Sequence, residues 1–223
     1  IASRPATRDA FTTDQGNNIM QQIRAAFSNI PGVTMAPWLD LDPIKGIVDT
    51  GVLDRPGIDA GLTREQVAES AGSSLADLAD AGDRNAAMTT MAEGAARLVA
   101  DRVASGAVHG VLAVGGSNAA YVMGRVAEAV PIGVPKLLVS TMVAGDTRSF
   151  VGARDLTMMY PVVDIAGLNS ITRGVLARAA DALAGMVTGA PVPEVGPERP
   201  VVALTMMGVT TGPATALQHD LEA

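Results

Sequence analysis

Apolar positions along this chain change period repeatedly, and each change marks an element. Ile19, Met20, Ile23, Ala26, Phe27 and Ile30 recur at helical spacing, and Pro31-Gly32 ends that helix. Val33 to Leu41 reads as a short strand confined to an edge by Pro37, and Ile44 to Leu53 as a strand leaving through Gly51. Thr63 with Gln66 three residues on is a capping box that starts a helix, and Ser74 with Asp77 repeats the pattern. Over Asp83 to Val103, the side chains of Ala87, Met88, Met91, Ala95, Leu98, Val99 and Val103 share one helical face, closed by Gly106.

Short continuous apolar runs then alternate with helices: strand 110–114, turn 115–117, helix 118–129, turn 131–133, strand 136–140. The repeat, about 25 residues, is the spacing of βαβ units in a parallel sheet. Leu156 to Val163 predicts a further strand bent by Pro161, and Asn169 caps a long helix to Val187. A proline-rich stretch over 188–200 reads as a linker. Val201 to Met207 predicts a strand, Gly208 to Thr211 a turn, and a helix follows from Pro213. The fold class expected is α/β: a Rossmann-like parallel sheet with helices on both faces, plus the start of a second α/β subdomain. The organisation expected is an N-terminal segment 1–43 without clear assignment, a Rossmann-like subdomain 44–190, and a linker with the second subdomain's start over 191–223.

Composition narrows the chemistry. The 223 residues are 48% hydrophobic and only 3% aromatic, so the core is built from Ala, Val, Leu, Ile and Met. A net charge of −7 argues against a nucleic-acid surface, which needs basic patches, but not against a nucleotide held by backbone N–H groups. With no cysteine, disulfides, thiolate metal sites and a cysteine nucleophile are excluded. His109 and His219 are the only histidines, too few for a multi-histidine metal site. No apolar run is long enough to span a membrane and no signal-peptide core is visible, so a cytoplasmic protein is expected. The chain begins with Ile and stops at Leu221-Glu222-Ala223 inside an expected helix, which suggests part of a longer polypeptide.

Three strand-end turns carry the candidate site, because open α/β sheets bind ligands beyond the carboxyl ends of their strands. The first, Gly115-Gly116-Ser117-Asn118, has two readings. Glycine lets a strand turn sharply and Ser or Asn caps the helix; alternatively, the helix N-terminus and a glycine-lined backbone cradle a phosphate, with Ser117 as a hydroxyl donor. It is neither a GxGxxG nor a Walker A loop. The second runs from Ser140 to Arg148 and offers Thr141, Gly145, Asp146 and Thr147. Asp146 is a candidate for a ribose hydroxyl or Mg²⁺ and Arg148 for a phosphate, or else Asp146 caps the next turn and Arg148 is solvated. The third offers Gly208, Thr210 and Thr211. Asp164, an acid inside an apolar run, must be paired, capping or functional. No catalytic triad is visible, so catalysis is left open.

The ordered series Gly110 to Ser117, Pro131 to Thr141, Gly145-Asp146, Thr157 to Tyr160, Val163 to Asn169 and Gly208 to Thr211 resembles one family. It is the bacterial, fungal and plant family that includes an ATP-binding resistance protein of tomato against tomato mosaic virus. The resemblance covers about residues 46–223. It implies two Rossmann-like subdomains, a nucleotide site near their junction, a dimer, and often a following TIM-barrel-like domain. It further implies that Gly115, Gly116 and Ser117 face phosphates, that Thr141, Gly145 and Asp146 line the same cleft, and that Gly208, Thr210 and Thr211 contribute from the second subdomain. The family's opening strand and Asp-Thr-Lys-Gly-like loop are not found in residues 1–43, and Asn118 stands where glycine is common.

The functional expectation is a nucleotide-binding protein, taking ATP with Mg²⁺, and homodimeric. Two alternatives are an enzyme on a small phosphorylated or carboxylated metabolite, and a non-catalytic regulatory or interaction module.

Overall fold

The computed structural model describes residues 47–52, 60–165, 169–189 and 202–222. The helix expected over 18–30, the strand over 33–41 and the turn at Pro56-Gly57 lie outside these. The chain divides into two compact units, residues 1–190 and 191–223.

In the first unit, two short helices, α1 (Arg64–Ser70) and α2 (Leu75–Asp80), precede the long α3 (Arg84–Ala104). Each begins on the side chain that sequence assigns to its start. Thr63 closes a reciprocal capping box with Gln66, Ser74 accepts from the Asp77 N–H, and Asp83 accepts from Asn85 and Ala86. Gly106, at φ +72°, takes the left-handed conformation just beyond α3. The sheet follows as β1 (Val111–Gly115), α4 (Ser117–Ala129), β2 (Lys136–Ser140), a 3₁₀ turn (Thr141–Ala144), the short α5 (Arg148–Val151) and β3 (Thr157–Met159). The unit closes with α6 (Ser170–Thr188), capped by Asn169 through the N–H groups of Ile171 and Thr172.

β1, β2 and β3 pair in that order, all parallel, with Val111 opposite Lys136 and Leu137 opposite Thr157. β2 is buried along its whole length. Its alternating side chains serve two cores, the pattern of a parallel strand covered on both faces. Leu138 packs with Ala96 and Val99 of α3, Ala120, Met123 and Val126 of α4, and Phe150. Leu137 and Val139 pack on the other face against Val175, Ala179 and Leu183, a four-residue-spaced stripe of α6. At about 1.5–3 kcal/mol per fully buried aliphatic side chain, these three residues anchor the layers. The fold is therefore a Rossmann-like α/β sheet with helices on both faces.

Small residues set the helix spacing. Val67 and Ala68 of α1 pack on Met91 and Ala95 of α3. A Cβ at Gly94 would collide with the Val67 carbonyl oxygen, so only glycine permits this approach.

One buried cation stands at the amino end of β2. Lys136 is 1% exposed, and its Nζ donates to the Pro131 and Val134 carbonyls and to Asp155 Oδ1, each at 2.8 Å. All three donors are satisfied. Asp155 also accepts from the Gly133 N–H at 2.7 Å. Burial raises the Asp155 pKa, but the hydrogen bonds from Lys136 and Gly133 and the Lys136 charge outweigh it and hold the carboxyl below its ordinary range. A second buried pair, Arg64 with Asp49 at 2.7 Å, fastens the segment before α1.

Two expected strands are corrected. Of the strand over 44–53, the described residues form only one parallel bridge, Val48 with Leu62. In the second unit, residues 202–207 form no ladder, and a 3₁₀ turn (Gly208–Thr210) leads into α7 (Thr211–Glu222). The apolar alternation at Val202, Leu204 and Met206 is that of a strand, but these side chains are exposed and a strand needs a hydrogen-bonded neighbour. Among the described residues, no helix is long and apolar enough to cross a membrane.

Candidate functional site

The carboxyl ends of β1 and β2 lie side by side, with Gly115 opposite Ser140. Gly115 has φ +155°, and a Cβ there would sit 2.9 Å from the Ala119 Cβ, so glycine is required for the turn into α4. Gly116 is the N-cap and makes no side-chain cap. Ser117 and Asn118 are instead the first two helical residues, so their N–H groups belong to the unsatisfied first turn. The reading of Ser117 or Asn118 as the cap is thereby overturned. A Cβ at Gly116 would meet nothing within 4 Å, so this backbone faces open space.

Ser140 ties the two turns together. It is fully buried, donates to the Gly116 carbonyl at 3.3 Å and accepts from the Met142 N–H at 3.2 Å. Thr141 begins the 3₁₀ turn, Gly145 ends it, and Thr147 precedes α5. Asp146 Oδ1 accepts from the Arg148 N–H at 3.0 Å, and its Oδ2 pairs with the guanidinium at 2.6 Å. Arg148 thus holds the Asp146 carboxyl below the usual carboxylate range. Both side chains are well exposed, so the pair is a solvated clasp on the turn. In the second unit, the Thr210 hydroxyl is engaged with the Met207 N–H and carbonyl, Gly208 faces open space, and Thr211 starts α7.

A cleft of about 480 Å³ opens against the start of α4. Ser117 and Asn118 line it with Arg84 and Asn85 from the start of α3 and Ser149 from α5. The opposite character comes from Met88, Ala120, Tyr121, Met142 and Phe150. A polar end and an apolar wall in one cavity is the usual composition of a small-molecule site. Gly115, Gly116, Thr141, Gly145, Asp146 and Thr147 stand on the adjoining turns without lining this cleft.

Tyr121 lies one turn after Ser117 on α4. Its hydroxyl shares a hydrogen bond with Thr89 at 3.0 Å, and the Arg125 guanidinium lies 5.6 Å from its ring centre. The bond with Thr89, then that with Arg125, lower the Tyr121 pKa from its ordinary value. Sequence reasoning missed Arg84, Asn85, Met88, Tyr121 and Phe150. The one signal available was the helical register placing Tyr121 four residues after Ser117. Asp164 is exposed and accepts from the Ile165 N–H at 2.8 Å, a local turn contact. Among the described residues, no group of three or more His, Asp or Glu is placed to hold a metal ion.

The sequence pattern described as Uncharacterised protein family (UPF0261) N-terminal domain matches residues 43–191. The chain belongs to this family. A UPF0261 protein of Clostridium tetani is 38% identical over 176 residues, 79% of this chain and 43% of its own. One of Rhizobium meliloti is 34% identical over 177 residues, with the same shares. The ToMV resistance protein Tm-1(GCR237) of Solanum lycopersicum is 37% identical over 118 residues, 50% of this chain and 15% of its own. The chain thus spans less than half the length of the UPF0261 relatives it matches. The family match covers the whole sheet and both turns of the first unit.

Proposed function

We propose that this chain binds a nucleotide, ATP in particular, in the cleft at the start of α4. The carrying observation is the cavity's two-sided lining. Ser117 and Asn118 offer first-turn N–H groups at a helix N-terminus, suited to phosphate. Met88, Tyr121, Met142 and Phe150 offer an apolar wall for a base, in a chain with few aromatics to spare. Mg²⁺ would travel on the phosphates, since it keeps several waters and needs only one or two carboxylates. Asp146, on the adjoining turn, is the carboxylate proposed for it. We further propose that the protein is cytoplasmic and homodimeric; light scattering of the purified chain would check the dimer.

The test is calorimetric titration of ATP with and without Mg²⁺, in the natural chain and in Gly116→Val. The new side chain would enter open space in the ligand-free protein, so folding should be kept while the approach to the α4 backbone is blocked. Saturable binding lost in Gly116→Val supports the reading. No heat and no thermal stabilisation by ATP would sink it. Stabilisation by small carboxylated or phosphorylated metabolites, with none by ATP, would favour an enzyme of such a metabolite.

A further inference from the structure

We infer that Val162 is a strained hinge that relaxes when the carboxyl end of the sheet is occupied, so that strain stored in the empty protein strengthens ligand binding. The inference rests on the nucleotide reading for its ligand. Among the described residues, Val162 is the only one other than glycine with a positive φ, at +69°. The left-handed region crowds a β-branched side chain, whereas glycine or asparagine enters it at little cost. Six described glycines of this chain stand at positive φ, so Val162 departs from the chain's own pattern.

No contact of Val162 itself offsets this strain. Its side chain is 61% exposed, so packing does not hold it. Its N–H has no acceptor among the described residues, and the Tyr160 hydroxyl lies 3.5 Å from its carbonyl, too long for a strong bond. The conformation is imposed from both sides. Pro161 is fully buried, and Ile165 belongs to the core with Leu137, Val139 and Val175. Residues 162–164 are thus a short bridge between two anchored points. Strain over-determined in this way gathers at ligand clamps and switch segments. The bridge leaves the sheet beside the turns of the candidate site. Met159 pairs with Val139, and the next residue of β2, Ser140, bonds the Gly116 carbonyl and the Met142 N–H. Met142 lines the cleft and Gly116 is the N-cap of α4. A ligand that shifts either turn moves the strand end from which Val162 departs, and in that occupied state Val162 returns to negative φ.

The experiment measures ATP affinity by calorimetry, and melting without ligand, in the natural chain, Val162→Gly, Val162→Asn and Val162→Thr. Glycine and asparagine relieve the strain, whereas threonine keeps the branched Cβ and with it the strain. Val162→Gly and Val162→Asn should raise the ligand-free melting temperature and weaken ATP about five- to a hundredfold, because the empty state gains what occupancy releases in the natural chain. Val162→Thr should match the natural chain in both measurements. A raised melting temperature with unaltered ATP affinity would show that the strain is uncoupled from the site and overturn the inference. So would a melting temperature lowered by both Gly and Asn, or a loss of affinity in Val162→Thr equal to that in Val162→Gly, which would assign the effect to the side chain. Each of these results leaves ATP binding itself in place. No ATP binding by the natural chain would instead sink the nucleotide reading, and this inference with it.

Discussion

Replacing Lys136 by Met removes a charge from a buried position at the amino end of β2 while keeping a side chain of similar reach. Three 2.8 Å hydrogen bonds disappear. The Pro131 and Val134 carbonyls lose a charged donor, and Asp155 loses its counter-ion. Removing one partner of a buried pair costs about 3–5 kcal/mol. Asp155 keeps the Gly133 N–H, and its side chain is 35% exposed, so water can recover part of its share. Met also packs well in an apolar slot. The expected net loss is about 2–4 kcal/mol, from the three charge-assisted hydrogen bonds together. Urea unfolding followed by far-ultraviolet circular dichroism reads this as a lower midpoint with an unchanged slope. A loss below about 1 kcal/mol would refute the reasoning, for it would mean that the three bonds contribute no more than one ordinary one.

Asp155→Asn should destabilise the chain at neutral pH, and the difference should shrink as the medium is acidified. The folded carboxyl titrates below its unfolded value, so its contribution is present above pH about 4 and is lost as pH falls through the lowered folded value. A difference that stays constant from pH 7 to 3 in urea titrations would contradict this. Gly94→Ala should cost about 3 kcal/mol or more, because the clash is with the Val67 backbone and not with a flexible side-chain end; an unchanged melting temperature would show that α1 can move away freely. Ser140→Ala should cost about 1 kcal/mol and weaken ATP binding by loosening both turns. Unaltered affinity with reduced stability would separate the tie from the site.

The elements legible in the sequence are those decided locally. Thr63, Ser74, Asp83 and Asn169 cap through atoms within three residues, so their positions suffice to place four helix starts. The βαβ repeat fixed β1 and β2 because continuous apolar runs bounded by glycine turns have few other homes. What escaped was decided at a distance. Lys136 is only the first residue of an apolar strand until Asp155, 19 residues later, and two carbonyls enclose it. Arg84 and Met88 reach the cleft from a helix that precedes the first strand, and no spacing rule links them to Ser117. The strand expected over 201–207 failed for the converse reason: its pattern is local, but ladder formation needs a partner.

The burial of β2 on both faces has a consequence for motion. Leu137, Leu138 and Val139 are fully enclosed between the α3–α4 layer and α6, so no single helix can peel away and expose the strand from both sides. Their amide hydrogens should exchange with solvent deuterium only when the whole unit opens, at a rate set by global stability. The first turn of α4 is exposed at Ser117 and Asn118, has no such cover and should exchange orders of magnitude sooner. The protein would thus hold a slow-exchanging spine directly beneath a fast-exchanging rim, and the rim is where a ligand's protection would be seen.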